Sequence, residues 1–343
     1  MQRALELATK GLGHVSPNPM VGCVIVHKGK VIGEGWHAEF GGPHAEVMAI
    51  NAVADRTLLG NSTVYVTLEP CSYHGKTPAC TDLLLKHRPQ KVLVASLDPN
   101  PKVSGRGLEI LRTAGIEVED GLLQAEAMAL NKRFFVSMKL NRPYIILKWA
   151  QTANGFIARK NYDAKWISNS WSRQMVHKWR AEEDGILVGY NTVKYDNPEL
   201  TVRDWQGPNP ARIVLDPHKA LTEDYHVFDR KVKTYWLNIA DDFTKNNLVA
   251  KRFPSDHELL DGLKYLYEED IGSIIVEGGA ATLKQFIDRG LWDEARIFSS
   301  PTSFDDGIAA PVLDLPEVDE QFFGTDRLNT IFNPETRRFW QKN

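Results

Sequence analysis

The sequence predicts an α/β protein built as two domains. Three observations carry that expectation: strand-sized apolar runs alternate with helical patterns, the alternation starts afresh midway, and Asn141-Arg142-Pro143 stands between the two sets. Length agrees, since 343 residues at ~150 per domain gives roughly two. At 43% hydrophobic and 25% charged, the chain has the composition of a core-forming globular protein. Gly 25 and Pro 18 are average shares, which excludes collagen-like and low-complexity architectures.

The first set reads in order. Residues 3–12 form an amphipathic helix pattern with Leu5, Ala8 and Leu12 on one side, lacking the apolar core and cleavage site of a signal peptide. Gly22–His27 and Val31–Trp36 read as strands across a Lys28-Gly29 turn. Helix 44–55 follows, with Ala45, Met48, Ala49, Ala52 and Val53 at the spacing of one buried face. Pro43, behind Gly41-Gly42, suits its first helical position. Val64–Leu68 is a strand, 80–87 a helix, Lys91–Ala95 a strand, Gly105–Ala114 a helix and Ile116–Glu119 a short strand. Residues 122–139 read as one more helix, stopped before Pro143. The second set has strands at Tyr144–Trp149, Gly185–Val188, Arg212–Leu215, Lys233–Leu237, Ser273–Glu277 and Glu294–Ser299, so the domains are expected at 1–143 and 144–343.

Charge supports the division. Residues 1–143 carry 16 basic and 13 acidic side chains, net +3, and residues 144–343 carry 25 and 31, net −6. The total of −3 argues against a polyanion binder and against adhesion to a membrane surface. No apolar run approaches the ~18 residues of a membrane span. Three cysteines make no disulfide framework, which suits a cytoplasmic protein with reduced thiols.

His44-Ala45-Glu46 opens the 44–55 helix, Pro70-Cys71 follows the strand Val64–Leu68, and Cys80 opens the next helix. A catalytic zinc needs three protein ligands and one open position for water, which it ionises near neutral pH. One imidazole and two thiolates, His44, Cys71 and Cys80, supply such a set. Glu46, two residues after the histidine, suits the carboxylate that moves protons to a departing amine. Cys23 sits mid-strand in an apolar run and reads as core, which argues against a four-ligand structural site. The order matches the known His-x-Glu…Pro-Cys-x-x-Cys pattern of zinc deaminases, except that eight residues separate Cys71 from Cys80.

That eight-residue insert, Asn18-Pro19-Met20-Val21-Gly22, Asp98-Pro99-Asn100-Pro101 and Gly105-Arg106-Gly107 together resemble the riboflavin-pathway bifunctional deaminase–reductases, from about residue 2 to the C-terminus. The resemblance implies a cytidine-deaminase-like three-layer domain followed by a dihydrofolate-reductase-like domain. It implies deamination of a 2,5-diamino-6-ribosylamino-pyrimidinone 5′-phosphate, with Asn18, His37, Lys76, Asp98 and Asn100 lining that pocket. Lys76 suits a phosphate by charge. The family usually has histidine where this chain has Tyr73, a hydroxyl donor in its place.

In the second half, Ser273–Glu277, Gly278-Gly279 and a helix at Thr282–Asp288 make a strand, glycine turn and helix start that can approach a phosphate, without the Gly-x-Gly-x-x-Gly of a Rossmann fingerprint. Lys148-Trp149-Ala150 with Asn154-Gly155, Trp166-Ile167-Ser168, Trp179-Arg180-Ala181-Glu182, Asp196-Asn197-Pro198 and Leu200-Thr201-Val202-Arg203 are similar to the reductase half of the same family. By that resemblance NADPH lies against Ala150, Trp166, Thr192 and Asp196, and against the turn of Gly279, Ala280, Ala281, Thr282, Leu283, Lys284 and Gln285. Ala164, Arg180, Leu200, Arg203 and Glu277 then contact the substrate, the arginines at its phosphate, with Lys148 and Glu277 catalytic beside the sugar. Buried mid-strand, Lys148 would have a depressed pKa. Asn154 stands where the family has Asp, and tolerates the same turn. A homo-oligomer is expected, and no nucleic-acid or membrane partner. Two other readings stay open: a nucleic-acid deaminase, and a deaminase whose second half is a scaffold or dimerisation unit.

Overall fold

The computed structural model describes residues 1–73, 78–100, 103–163, 167–253, 258–316 and 319–341. The chain divides into one unit of Met1–Leu140, joined by the residues from Arg338 onward, and a second of Asn141–Arg337. Trp340, 7% exposed, explains the return of the last residues: the Lys132 ammonium stands 5.7 Å from its ring.

The first unit runs α1 (Gln2–Ala8), β1 (Gly22–His27), β2 (Lys30–Trp36), α2 (Ala45–Asn51), β3 (Thr63–Leu68), α3 (Cys80–His87), β4 (Lys91–Ser96), α4 (Arg106–Thr113), β5 (Glu117–Asp120), α5 (Gln124–Leu130) and α6 (Lys132–Leu140). Its sheet has the order β2-β1-β3-β4-β5. β1 is antiparallel to β2 and β3, whereas β3, β4 and β5 are mutually parallel. On one face Cys23, Ile25, Val64, Val66, Val92 and Val94 pack under Ala49 and Ile50 of α2, Leu84 of α3 and Leu108 of α4. Ala4 and Leu7 of α1 cover Val24 on the other. Side-chain alternation along each strand therefore yields helix, sheet and helix layers.

Four expectations change in this unit. α2 begins at Ala45, with His44 in extended conformation as its N-cap, so Pro43 lies outside the helix. α2 stops at Asn51 because the Asp55 carboxylate accepts the Thr57 amide at 3.0 Å and starts a 3-10 turn. Its buried face is Ala45, Glu46, Ala49 and Ile50, while Met48 is 38% exposed. The expected helix 122–139 is two helices, because the buried Asn131 between them spends its amide on both backbone groups of Met20, at 2.8 and 2.9 Å.

The second unit runs β6 (Tyr144–Gln151), β7 (Phe156–Ala158), α7 (Ser170–Glu182), β8 (Gly185–Gly189), α8 (Tyr190–Asp196), β9 (Ala211–Leu215), β10 (Thr234–Asn238), β11 (Phe243–Lys245), β12 (Leu248–Arg252), α9 (Glu258–Glu268), β13 (Ser273–Val276), α10 (Ala280–Asp288), β14 (Glu294–Ser299), β15 (Ile308–Ala309), β16 (Asp319–Phe323), β17 (Asp326–Phe332) and α11 (Pro334–Arg337). Ten strands form one sheet, β11-β12-β10-β9-β8-β13-β6-β14-β17-β16. The six pairings from β12 to β14 are parallel. Ile145, Leu147, Leu187, Ile274 and Val276 on the central strands meet Leu283 and Phe286 of α10 in the core. Strands at such depth carry near-continuous apolar runs, as Tyr144–Leu147 does. Among the described residues, no helix is long and apolar enough to cross a membrane.

Candidate active sites

In the first unit the chain delivers its donors to one point through three element ends. His44 caps α2, Cys71 lies three residues beyond β3, and Cys80 is the first residue of α3. Their donor atoms all lie within 4.8 Å of one another. His44 Nδ1 is 3.2 Å from Cys80 Sγ and 3.5 Å from Cys71 Sγ. A tetrahedral zinc with bonds of ~2.3 Å to sulfur and ~2.0 Å to nitrogen sets its donors roughly 3.5–3.8 Å apart, so this set fits the metal. The Cys80 amide donates to Cys71 Sγ at 3.2 Å. Hydrogen bonds from Cys80 and His44 hold the Cys71 thiol down at about 4, as a thiolate. The same thiolate raises His44.

Glu46 is 3% exposed on the first turn of α2, and burial pushes its carboxyl up to about 7. That value suits a group that both takes and gives protons near neutrality. His37 stands edge-on to His44, ring centres 5.6 Å apart. Its Nδ1 is 3.0 Å from the Pro43 carbonyl and must donate there, so Nε2 accepts the Asn18 amide at 3.1 Å. Burial lowers the His37 pKa, consistent with a neutral ring. Asp98 accepts the Asn100 amide at 2.8 Å, and its pKa is raised by burial and then by the charges of Glu69 and Cys71. Tyr73 is 59% exposed, with its hydroxyl raised by burial and by the Cys71 and Asp98 charges. Lys76 lies outside the described residues. Cys23 is fully buried in the sheet and is not part of the donor set.

In the second unit a cleft of about 790 Å³ opens at the C-terminal ends of the parallel strands, the usual place for ligands in such sheets. Lys148, Ala150, Arg180, Thr192, Asp196, Arg203, Glu277, Gly279, Ala280, Ala281, Thr282 and Gln285 all line it. Leu283 instead is buried in the core, and Lys284 points away to pair with Asp288 at 2.8 Å. Leu200, 3% exposed with a φ of +55°, is outside the lining. Ala164 and Trp166 lie outside the described residues. At Gly278 a Cβ would sit 2.7 Å from the Thr282 side chain, so the strand-to-helix turn passes close under the helix only with glycine there. The Gly279 amide donates to Thr192 Oγ1 at 3.2 Å, which ties α8 to the first turn of α10. The glycine turn, the helix start and the cleft's size fit a dinucleotide.

The charged heart of the cleft differs from the expected phosphate clamp. Arg180 spends its fork on Glu277, at 2.8 and 2.9 Å, and a further N–H on the Thr201 carbonyl at 3.3 Å. Lys148 Nζ is 3.7 Å from the same carboxylate. Burial alone would raise Glu277, but the Arg180 and Lys148 charges override it and hold the group at about 2. For Lys148 the balance is reversed, and burial lowers its pKa despite Glu277. Arg203 is half exposed, near Glu199 at 3.4 Å. Two residues the sequence did not suggest also support the sites. His177 Nδ1 accepts the Arg203 amide at 3.2 Å, and Glu69 accepts three backbone amides behind Cys71. No spacing signal marks either, since their partners are distant in sequence.

Residues 1–96 match the cytidine and deoxycytidylate deaminase zinc-binding region, and residues 143–318 match the RibD C-terminal domain. The riboflavin biosynthesis protein RibD of Aquifex aeolicus is 40% identical, over 93% of this chain and 91% of its own. That of Escherichia coli K12 is 36% identical, over 88% and 86%. The crystal structure of a diaminohydroxyphosphoribosylaminopyrimidine deaminase/5-amino-6-(5-phosphoribosylamino)uracil reductase from Thermotoga maritima is 38% identical and superposes with a TM-score of 0.88 over 97% of each chain. Acinetobacter baumannii RibD superposes at 0.87, with 32% identity over 96% and 97%. With a zinc donor triad in one unit and a reductase cleft in the other, the chain belongs to the RibD family, the bifunctional deaminases and reductases of riboflavin biosynthesis that use zinc and NADPH.

Proposed function

We propose that the first unit hydrolyses the C2 amino group of 2,5-diamino-6-ribosylamino-4(3H)-pyrimidinone 5′-phosphate, and that the second reduces the ribosyl group of the product to ribityl. The observation that supports this most is the His44, Cys71 and Cys80 donor set beside the buried Glu46. Zinc, when bound by those three residues, supplies the Lewis acidity that makes a water nucleophilic near neutral pH. Glu46 takes a proton on its carboxylate and returns one to the amine that leaves as ammonia. Asn18, held by His37, and the Asp98–Asn100 turn contact the pyrimidine edge and ribose. Lys76 reaches the phosphate.

In the second site NADPH, when bound, supplies the hydride that saturates C1′ of the ring-opened ribosyl imine. Thr192, Asp196 and the Gly279–Gln285 segment orient it against Ala150. Lys148 gives the proton from its Nζ to the imine nitrogen, a step that its lowered pKa favours. Glu277, itself fixed by the Arg180 fork, holds that ammonium in place, and Arg203 takes the exposed phosphate, with bidentate donors that lysine lacks. The reading includes a cytoplasmic location, suited to three unpaired cysteines, and a homo-oligomer, checked by light scattering. The experiment supplies the diaminopyrimidine with and without NADPH. Ammonia release in both samples and NADPH oxidation in one is expected; ammonia release that requires NADPH would refute two independent sites.

A further inference from the structure

β3 ends at Leu68, yet the next residue still pairs with β4, its amide donating to the Ser96 carbonyl at 2.9 Å. The Glu69 side chain then turns across the end of the sheet, 5% exposed. Its Oε1 accepts the Gly107 amide at 2.9 Å, and its Oε2 accepts the amides of Gly105 at 2.9 Å and Asp98 at 3.3 Å. Capping α4 would need only the first two of these. The third ties in the Asp98–Asn100 turn. Two residues on from Glu69 comes Cys71, and the backbone between them is locked to the same helix end: a Cβ on Gly107 would stand 2.3 Å from the Pro70 carbonyl oxygen. One carboxylate thus gathers the segment that carries a zinc thiolate and the turn that carries Asp98.

We propose that Glu69 is a positioning residue of the deaminase site, fixing where Asp98 meets a pyrimidine bound over His44, Cys71 and Cys80. The proposal rests on the first unit being the deaminase. Glu69→Gln keeps the size of the side chain but turns an NH2 group toward at least one backbone amide, so the turn loses a charge-assisted bond. Loss of one such bond predicts a rise of roughly ten- to a hundredfold in KM for the diaminopyrimidine, with a smaller change in kcat. Zinc content stays at wild-type level and NADPH oxidation on the deaminated substrate is unchanged.

The decisive comparison is a double-mutant cycle with Asp98→Ala in the full chain. If Glu69 acts through Asp98, adding Glu69→Gln to Asp98→Ala lowers kcat/KM for deamination little further. Additive losses, an unchanged KM, or loss of zinc in Glu69→Gln would each overturn the proposal. Should Glu69→Gln prove insoluble, Glu69→Asp, which keeps the charge on a shorter stem, goes through the same cycle with the same outcomes. A wild-type chain that releases no ammonia overturns the deaminase reading too, and is recognised without any variant.

Discussion

Replacing Glu277 by Gln keeps its size and removes its charge. In the protein that carboxylate accepts two parallel bonds from Arg180 and stands 3.7 Å from Lys148, with none of the three side chains more than 15% exposed. Gln leaves two buried cations facing a neutral amide, and breaking a buried pair in this way costs about 3–5 kcal/mol. Linkage gives a similar figure. Glu277 sits at about 2, roughly two units below an ordinary Glu, worth ~3 kcal/mol. At ~2–4 °C per kcal/mol for a domain of about 200 residues, Tm should fall by roughly 6–20 °C. Because the folded pKa is depressed, the contribution is fully present above the unfolded value near ~4.3 and is lost as pH falls through about 2. The Tm gap between wild type and variant should therefore be wide at neutral pH and narrow toward pH 2. Without the facing carboxylate, Lys148 is left with burial and the Arg180 charge, both of which lower its pKa. The alkaline limb of the reductase rate should then move to lower pH. Calorimetry and NADPH oxidation across pH test both. A variant that melts within about 1 °C of wild type at neutral pH, with the same pH profile, would refute the reasoning.

Other substitutions separate ligands from core and turn from chemistry. Cys80→Ser should lose the metal, whereas Cys23→Ala should keep one zinc per chain by elemental analysis, because Cys23 is fully buried in the sheet outside the donor set. Asn154→Asp introduces the residue that the family resemblance implies at this turn, yet should destabilise this chain by about 1–3 kcal/mol in a denaturant titration. The reason is that the Asn154 amide donates to the Phe304 carbonyl at 2.7 Å, where a carboxylate would oppose it.

Much of the first site is legible in the sequence because its residues sit where local patterns put them, at the starts of α2 and α3 and just past β3. The carboxylate of Glu46 is legible for the same reason, two residues from a ligand. What periodicity misread was which stripe of α2 faces inward. Burying Glu46 and Ile50 turns Met48 outward, so the apolar spacing favoured the wrong residue there. Long-range hydrogen bonds were the other blind spot. Asn131 splits a helix by reaching Met20, 111 residues away, and Glu69 reaches Gly107 across 38. In the second unit β17 went unread because Asp326 and Asn329 are buried polar residues in a strand pattern. Asp326 is there to accept the Asn169 amide and the Ser172 hydroxyl at the start of α7, at 2.8 and 2.7 Å. The pairing of Arg180 with Glu277 escaped as well, since an arginine that suits a phosphate suits a carboxylate equally well.

The central claim is that two separate sites act in turn on one substrate. Glu46→Gln tests it most directly, assayed on the diamino substrate for ammonia and on the already deaminated substrate for NADPH oxidation. The account predicts bound zinc, no ammonia, and NADPH oxidation at the wild-type rate. Loss of both activities in a folded, zinc-loaded variant, or ammonia release at the wild-type rate, would contradict it.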